Sequence, residues 1–164
     1  MPFDMLVKLY NLSDQIKEIE ELERKGFQIK RPLALDKGRV VSYVRKYFYE
    51  NWANECEVGF SRIPVSCFIA VKNEEIVGFS VYDVTYRGFF GPIGISERYR
   101  GKGLGKALLL KSLLAMKQIG YGYAIIGWVD DAIEFYKKSV DAILIENSFP
   151  GIYKNMIKKV SHET

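Results

Sequence analysis

The chain has 164 residues, a net charge of +4 and 48% hydrophobic residues, with no Pro/Gly/Ser-rich linker dividing it. This length and composition fit one domain, residues 1–164, with a substantial core, and they exclude a disordered or fibrous chain. The positive charge is mild and dispersed, which suits an anionic small molecule and argues against a nucleic-acid partner.

Histidine and cysteine are too scarce for several common kinds of site. The single histidine, His162, lies within the last three residues, and Cys56 and Cys67 have no metal-ligand spacing. A triad or a histidine-rich metal centre needs an imidazole held in place, so neither is expected, and no metal is predicted. The chemistry must therefore use carboxylates, tyrosine, lysine, backbone amides or a cosubstrate.

No segment reads as a signal peptide, and no apolar run approaches the length that spans a membrane. We therefore expect a cytoplasmic protein with no membrane partner.

The first third of the chain is predicted to be mainly helical. Residues 5–10 fit either a short strand or a helix. Ser13 is placed to cap a helix through Lys25, and residues 27–33 read as a strand. Asp36 is placed to cap a second helix, whose apolar stripe recurs at every fourth position in Val40, Val44, Phe48 and Trp52.

From Ser66 the pattern changes to strands. Residues 66–71 and 76–84 form an antiparallel hairpin around a tight turn, and the next strand, 89–96, is interrupted by glycine and proline. A helix from Gly103 to Ile119 and a strand at 123–129 follow. This crossover makes the two strands that flank the helix parallel. Three short elements complete the chain: a helix at 132–139 and strands at 142–146 and 152–160.

The glycine-rich stretch RGKGLG, Arg100 to Gly105, lies between a strand and a helix, where proteins commonly hold phosphates. Its spacing fits neither the P-loop nor the GxGxxG dinucleotide loop, and Ala107 replaces the P-loop hydroxyl. A purely structural turn is the remaining alternative. Three glycines in five residues are costly to order, however, unless the backbone must approach a ligand closely.

Together with the broken strand before it, the Arg-x-x-Gly-x-Gly loop resembles the acyl-CoA loop of the GNAT-type N-acetyltransferase superfamily. The resemblance covers residues 27–158 and leaves 1–26 as an N-terminal helical addition. It implies an α/β fold with a mixed, mostly antiparallel sheet. A central parallel strand pair is splayed around the cofactor, and helices cover both faces.

The resemblance also implies the acetyl-CoA site. Main-chain groups of Ile93, Gly94 and Ile95 would pair with pantetheine, and amides of the loop would bind the pyrophosphate. The loop residues are Arg100, Gly101, Lys102, Gly103, Leu104, Gly105 and Lys106. Lys102 and Lys106 either attract the pyrophosphate through their charge or are simply solvated side chains.

A second matching motif is DDAIEFYKKS, in which Ala132, Phe135, Tyr136 and Lys138 fit the family pattern. The resemblance makes Tyr136 the general acid for the CoA thiolate, and Phe135 packs on the cofactor or in the core. A core tyrosine is the alternative for Tyr136. Many members carry an asparagine where this chain has Val129, so the cofactor contact at that position is in doubt.

The implied activity is transfer of an acetyl group to a primary amine by direct attack in a ternary complex. Small-molecule and peptide amines both stay open as acceptors, as does a homodimer. Residues 51–64 and 86–90, with Trp52, Phe60, Tyr86, Phe89 and Phe90, are expected to build the acceptor pocket. Four carboxylates stay open as the base, alongside a water chain: Asp83, Glu97, Glu55 and Glu57. The rival function is a non-catalytic acyl-CoA-binding regulatory module.

Overall fold

The computed structural model describes residues 1–158 as a seven-stranded sheet with helices on both faces. His162 and the end of the predicted last strand lie outside these residues. The strands are β1 Phe3–Lys8, β2 Phe27–Lys30, β3 Cys67–Lys72, β4 Glu75–Tyr82, β5 Phe89–Ile95, β6 Tyr123–Val129 and β7 Ile143–Ile145. The helices are α1 Glu18–Arg24, α2 Lys37–Tyr47, α3 Glu50–Gly59, α4 Leu104–Gln118 and α5 Ile133–Val140.

The sheet has the order β2-β3-β4-β5-β6-β1-β7, and its neighbours pair antiparallel except for β5 and β6. The parallel pair arises because α4 connects β5 to β6 and returns the chain to the same end of the sheet. The mixed, mostly antiparallel sheet with one parallel pair and helices on both faces is confirmed.

Two hydrophobic layers hold the helices on the sheet. One contains α4 with the inward residues of α1 and α5, and Leu108, Leu109 and Leu113 are fully buried in it. The other lies under α2 and α3 and includes Val40, Val44 and the central Phe79 of β4. The sheet therefore separates an α4/α5 face from an α2/α3 face. Within residues 1–158, none of the helices is long and apolar enough to cross a membrane.

The structure corrects the expectation of a helical addition at residues 1–26. Phe3–Lys8 is a strand that lies between β6 and β7, with Met5 and Val7 completely buried. The helix expected from Ser13 to Lys25 is shorter, Glu18–Arg24. An apolar run of this length becomes a strand here because β6 and β7 supply hydrogen-bond partners on both sides.

Two further expectations change. The stripe from Val40 to Trp52 crosses a break, because the backbone leaves the helical conformation at Phe48 and is extended at Tyr49 before α3 begins. The strand expected at 152–160 is wrong over its described part, where Gly151–Asn155 is a 3-10 helix. That helix packs the Tyr153 ring against the Trp128 ring, 4.8 Å away, instead of extending the sheet.

Candidate functional site

The parallel strands β5 and β6 separate soon after they meet. They pair only at Phe89 with Ile125 and at Phe90 with Ile126. Farther along, Ile93 to Ile95 of β5 pair with β4 alone, whereas Val129 of β6 pairs with β1. Pro92 has no N–H to donate to a ladder, and Gly91 adopts a φ of +116°. Main-chain groups on one side of β5 are therefore left facing an opening in the sheet.

The glycine loop follows the open end of β5 after one short 3-10 helix, Glu97–Tyr99. Gly101 and Gly103 have φ values of +77° and +90°, so both occupy a conformation that favours glycine. A Cβ atom built at either position would meet nothing within 4 Å. The space next to the backbone is therefore empty of protein atoms at both residues, and a ligand could approach that backbone closely.

The loop leads into the N-terminus of α4 at Leu104. No side chain caps this helix, and its first turn contains no acidic residue. The first amides of an α-helix have no partners within the helix, and here no side chain takes their place, so these amides and the partial positive charge of the helix end are available. Loop and helix end together form a surface suited to an anion such as a phosphate.

Side chains of the loop have different surroundings. The Arg100 Nε donates to the Ile95 carbonyl over 3.4 Å, which ties the loop to β5. Lys102 is exposed, whereas the Lys106 Nζ lies 2.9 Å from a carboxylate oxygen of Glu18 on α1. Leu104 is buried in the core, so only its main chain is available to a ligand.

The other predicted cofactor residues lie around the same opening. Ile93 and Ile95 are partly buried against the α4/α5 layer. Gly94 lies beneath the Phe48 ring on the α2/α3 face, and a Cβ built on Gly105 would be 3.6 Å from the Phe135 ring. The structure thus brings the broken strand, the loop and α5 together.

Tyr136 lies on α5 next to Phe135 and is only 6% exposed. Its ring meets the Phe90 ring edge-on at 6.5 Å, and Phe90 belongs to the strand pair that opens. None of the hydrogen bonds among residues 1–158 involves the Tyr136 hydroxyl, and burial of the residue raises the pKa of this phenol. Within the described residues, the fully buried side-chain oxygen that lacks a partner is that of Ser66, not that of Tyr136. Because the Tyr136 oxygen makes no hydrogen bond and is not among the fully buried unpaired atoms of the described residues, it is accessible to a ligand.

Aromatic residues cover the α2/α3 face of the opening. Trp52 stacks on Phe48 with ring centroids 5.7 Å apart, and both rings pack on Phe79. The exposed Tyr86 ring meets Phe89 at 5.8 Å. Two of the expected pocket residues lie elsewhere: Phe60 is buried under α3, and Phe90 faces Tyr136 on the opposite side of the sheet.

The four carboxylates considered as bases have different partners. Asp83 accepts hydrogen bonds from the Gly88 amide and the Tyr121 hydroxyl, which places it in the structure of the β4–β5 connection. Glu57 pairs with Lys37 at 3.0 Å on an exposed surface. Glu97 begins a short 3-10 helix beside the loop.

Glu55 differs from the other three carboxylates. It is partly buried on α3 and accepts a hydrogen bond from the Thr85 hydroxyl. Burial raises the pKa of the Glu55 carboxyl, and the bond from Thr85 partly offsets that rise.

A group of residues at the end of β6 was not predicted from the sequence. Trp128 has a φ of +54°, and its amide donates to the nearly buried Asp4 carboxylate over 3.1 Å. The Tyr153 hydroxyl lies directly over Gly127, where any side chain would collide with it. Val129, which stands where many family members carry a cofactor-contacting asparagine, is buried in the core. In the sequence, the run SFPGIY, which contains turn residues and the tyrosine at position 153, was the signal that could have pointed to this group.

A model of the acetyltransferase (GNAT) family matches residues 13–141. The chain belongs to that family. A curated relative, N-alpha-acetyltransferase 30 of Xenopus laevis, is 31% identical over 80 residues, which are 45% of this chain and 25% of the relative.

Solved GNAT structures share the fold. The GCN5-related glucosamine N-acetyltransferase region of a fungal GH3 beta-N-acetylglucosaminidase has a TM-score of 0.71 at 12% identity, over 88% of this chain and 20% of that chain. A GCN5-related N-acetyltransferase from Sphaerobacter thermophilus has a TM-score of 0.67 at 17% identity, over 88% of this chain and 50% of that chain. This GNAT chain therefore spans half or less of the length of each of these relatives.

Proposed function

We propose that this GNAT-family chain transfers the acetyl group of acetyl-CoA to a primary amine by direct attack in a ternary complex, with Tyr136 as general acid. The observation that carries the proposal is the Tyr136 hydroxyl. The Tyr136 residue is buried, its hydroxyl makes no hydrogen bond within the described residues, and it belongs to the helix whose Phe135 ring lies against Gly105.

Acetyl-CoA fits the residues present at the opening. Amides from Arg100 to Lys106 would hold the pyrophosphate, because Gly101 and Gly103 leave open space where side chains would stand. Lys102 is free to add attraction, whereas Lys106 would have to share its charge with Glu18. Main-chain groups of Ile93, Gly94 and Ile95 would pair with pantetheine, beside the Phe135 ring.

The bound cosubstrate would supply an activated acetyl group as a thioester. The protein contributes by placing the amine against it and by polarising its carbonyl with a backbone amide of β5. Tyr136 then gives its proton to the departing sulfur. Because burial raises the pKa of Tyr136, the phenol keeps its proton at neutral pH.

The acceptor class rests on the family and on two relatives. One is named a glucosamine N-acetyltransferase region and the other an N-alpha-acetyltransferase, so a small-molecule amine and a peptide amine are both represented. Transfer to an amine is the shared chemistry and is what we propose for this chain.

The test incubates the protein with acetyl-CoA and a panel of primary amines and follows the release of free thiol. We expect release with at least one amine. We expect Tyr136→Phe to lower kcat about 10²-fold while acetyl-CoA affinity stays unchanged, because only proton donation is lost. Tyr123→Phe is the control, since Tyr123 is exposed at the far end of β6.

Thermal unfolding with and without acetyl-CoA separates the alternatives. Stabilisation by acetyl-CoA without thiol release from any amine would favour a non-catalytic acyl-CoA-binding module. Neither stabilisation nor release would contradict the cofactor assignment itself. A Tyr136→Phe protein that turns over at the wild-type rate would remove the general-acid role.

A further inference from the structure

Glu55 lies in the middle of α3, on the face of the sheet opposite α4. Its carboxylate accepts a hydrogen bond from Thr85, which belongs to the connection between β4 and β5. That connection leads into Phe89, where β5 meets β6 just before the two strands separate. Thr85 therefore holds the Glu55 carboxylate at the β4–β5 connection, on the α2/α3 face near the point where β5 meets β6.

Tyr153 lies close to the place where β5 and β6 meet. Its hydroxyl lies over Gly127, and the Phe89 ring comes within 3.0 Å of a Cβ built on that glycine. Tyr153, Phe89 and Gly127 thus share the α2/α3 face. Burial raises the pKa of Tyr153, and the nearby charges of Asp4 and Glu55 raise it further. Glu55, held by Thr85, and Tyr153, beside Phe89, thus both lie near the start of β5 on this face of the sheet.

The Glu55 carboxylate has no ion-pair partner among the residues described, 1–158. Three cationic groups on the neighbouring elements are engaged elsewhere: Lys37 pairs with Glu57, Arg45 pairs with Glu50, and Arg62 donates to the Asp83 carbonyl. Arg87, in the same connection as Thr85, is exposed, and its charge acts on Tyr121. The Asp83 carboxylate accepts from Gly88 and Tyr121. A partly buried carboxylate without a counter-charge is available to a cationic ligand.

We propose that Glu55 is the acceptor-side catalytic carboxylate, which binds the ammonium group of a cationic primary amine and removes its proton. This inference rests on the acetyl transfer proposed above and names the substrate class for that site. Amino sugars, polyamines and peptide N-termini all carry an ammonium group, and the unpaired Glu55 carboxylate would bind that group in each of them.

Protons and bonds balance in this assignment. The ammonium gives one proton to the Glu55 carboxylate, which passes it to solvent. The neutral nitrogen forms the C–N bond with the acetyl carbonyl carbon, and the C–S bond breaks. Tyr136 protonates the sulfur, and the second proton lost from nitrogen restores the phenol. The sum is ammonium plus thioester giving amide, thiol and one proton.

The environment of Glu55 suits this role. Burial raises the pKa of its carboxyl above the ordinary value of 4.5, which makes the carboxylate a stronger base than an exposed glutamate. The Thr85 hydroxyl holds one carboxylate oxygen, and the other is left for the ammonium.

The experiment compares wild type, Glu55→Gln and Glu57→Gln with an aliphatic primary amine and with an aromatic amine that is uncharged at pH 7. Glu57 is the matched control because it lies on the same helix, exposed and paired with Lys37. We expect Glu55→Gln to lower kcat/KM for the aliphatic amine about 10²-fold at pH 7. Its rate should recover as the pH approaches the pKa of the free amine, since solvent then removes the proton.

Equal losses for the charged and uncharged amines, or no recovery at high pH, would overturn the proton-acceptor role. So would a Glu55→Gln protein with wild-type kcat/KM. Acetyl-CoA affinity is measured alongside and should match that of wild type, as it should for Glu57→Gln. In thermal unfolding at pH 7, Glu55→Gln should be at least as stable as wild type, because the substitution removes the cost of burying the charge. If wild type itself releases no thiol with any amine, the proposed acetyl transfer fails instead, and the two failures are distinguishable.

Discussion

Single residues decide the shape of the opening, and Gly94 is the clearest example. A Cβ atom at this position would come within 2.6 Å of the Phe48 ring. Phe48 cannot easily retreat, because its ring packs against Tyr43, Trp52 and Phe79. The absence of a side chain at Gly94 therefore lets the aromatic layer lie directly on the strand whose main chain we assign to pantetheine.

Gly94→Ala should lower the free energy of unfolding by about 1–3 kcal/mol, because a methyl group would have to displace a packed ring. Denaturant unfolding measures the change. Gly122→Ala is the matched control, since a Cβ there meets nothing within 4 Å. Equal effects of the two substitutions would mean that the Phe48 ring moves aside without penalty.

At the scale of elements, the sequence predicted β5, the glycine-rich turn and α4 better than it predicted the strands at the edge of the sheet. The broken β5, the glycine loop, α4 and α5 carry local signals: Pro92 and glycines interrupt a strand, and glycines precede and follow a helix. These signals report the backbone conformation directly, and they predicted the turn between β5 and α4, whereas Tyr136 was proposed from the resemblance of DDAIEFYKKS to the family motif. They do not report which distant segments meet.

The elements that sequence reasoning missed depend on distant partners. The segment of β1 fits a strand or a helix until β6 and β7 are known to lie beside it. The stripe at every fourth residue continued across the break at Phe48, since rings on either side still reach Phe79. Tyr153 reaches Gly127 through a 3-10 helix that no periodicity marks. The Glu55–Thr85 pair likewise becomes visible only in three dimensions.

Met5→Ala tests whether β1 is an integral strand of the sheet. Met5 is completely buried between strands and helices, so its truncation should lower the free energy of unfolding by about 2–5 kcal/mol. Denaturant unfolding again provides the measurement. Met156→Ala is the control, because Met156 is 46% exposed and should change stability little. A Met5→Ala protein as stable as the control would show that β1 is dispensable.

At the scale of the whole molecule, the opening combines features that oppose stability. Burial raises the pKa of both Asp4 and Glu55, so folding disfavours their charged forms. The Trp128 amide offsets part of this penalty at Asp4, and the Thr85 hydroxyl offsets part of it at Glu55. Sites that must bind a charged substrate commonly carry such a penalty, because the group that completes the pairing arrives with the ligand.

The pH dependence of stability tests this view of Glu55 without measuring activity. A carboxyl whose pKa is higher in the folded state favours folding when protonated, and that contribution disappears as the pH rises through the folded pKa. Glu55→Gln removes the titration. Its free energy of unfolding should equal that of wild type below the ordinary pKa of 4.5 and exceed it increasingly above that value, up to a plateau beyond the folded pKa.

Urea unfolding from pH 4 to pH 8 provides the measurement, and Glu57→Gln serves as control. The exposed Glu57–Lys37 pair should contribute less than about 1 kcal/mol, so its removal should leave the pH profile nearly parallel to wild type. A Glu55→Gln protein that is less stable than wild type at pH 8 and equal at pH 4 would mean that native cations already neutralise Glu55. A carboxylate neutralised in that way could not serve as the site for an ammonium group. The stability profile therefore tests the charge environment on which the acceptor assignment depends, independently of any turnover.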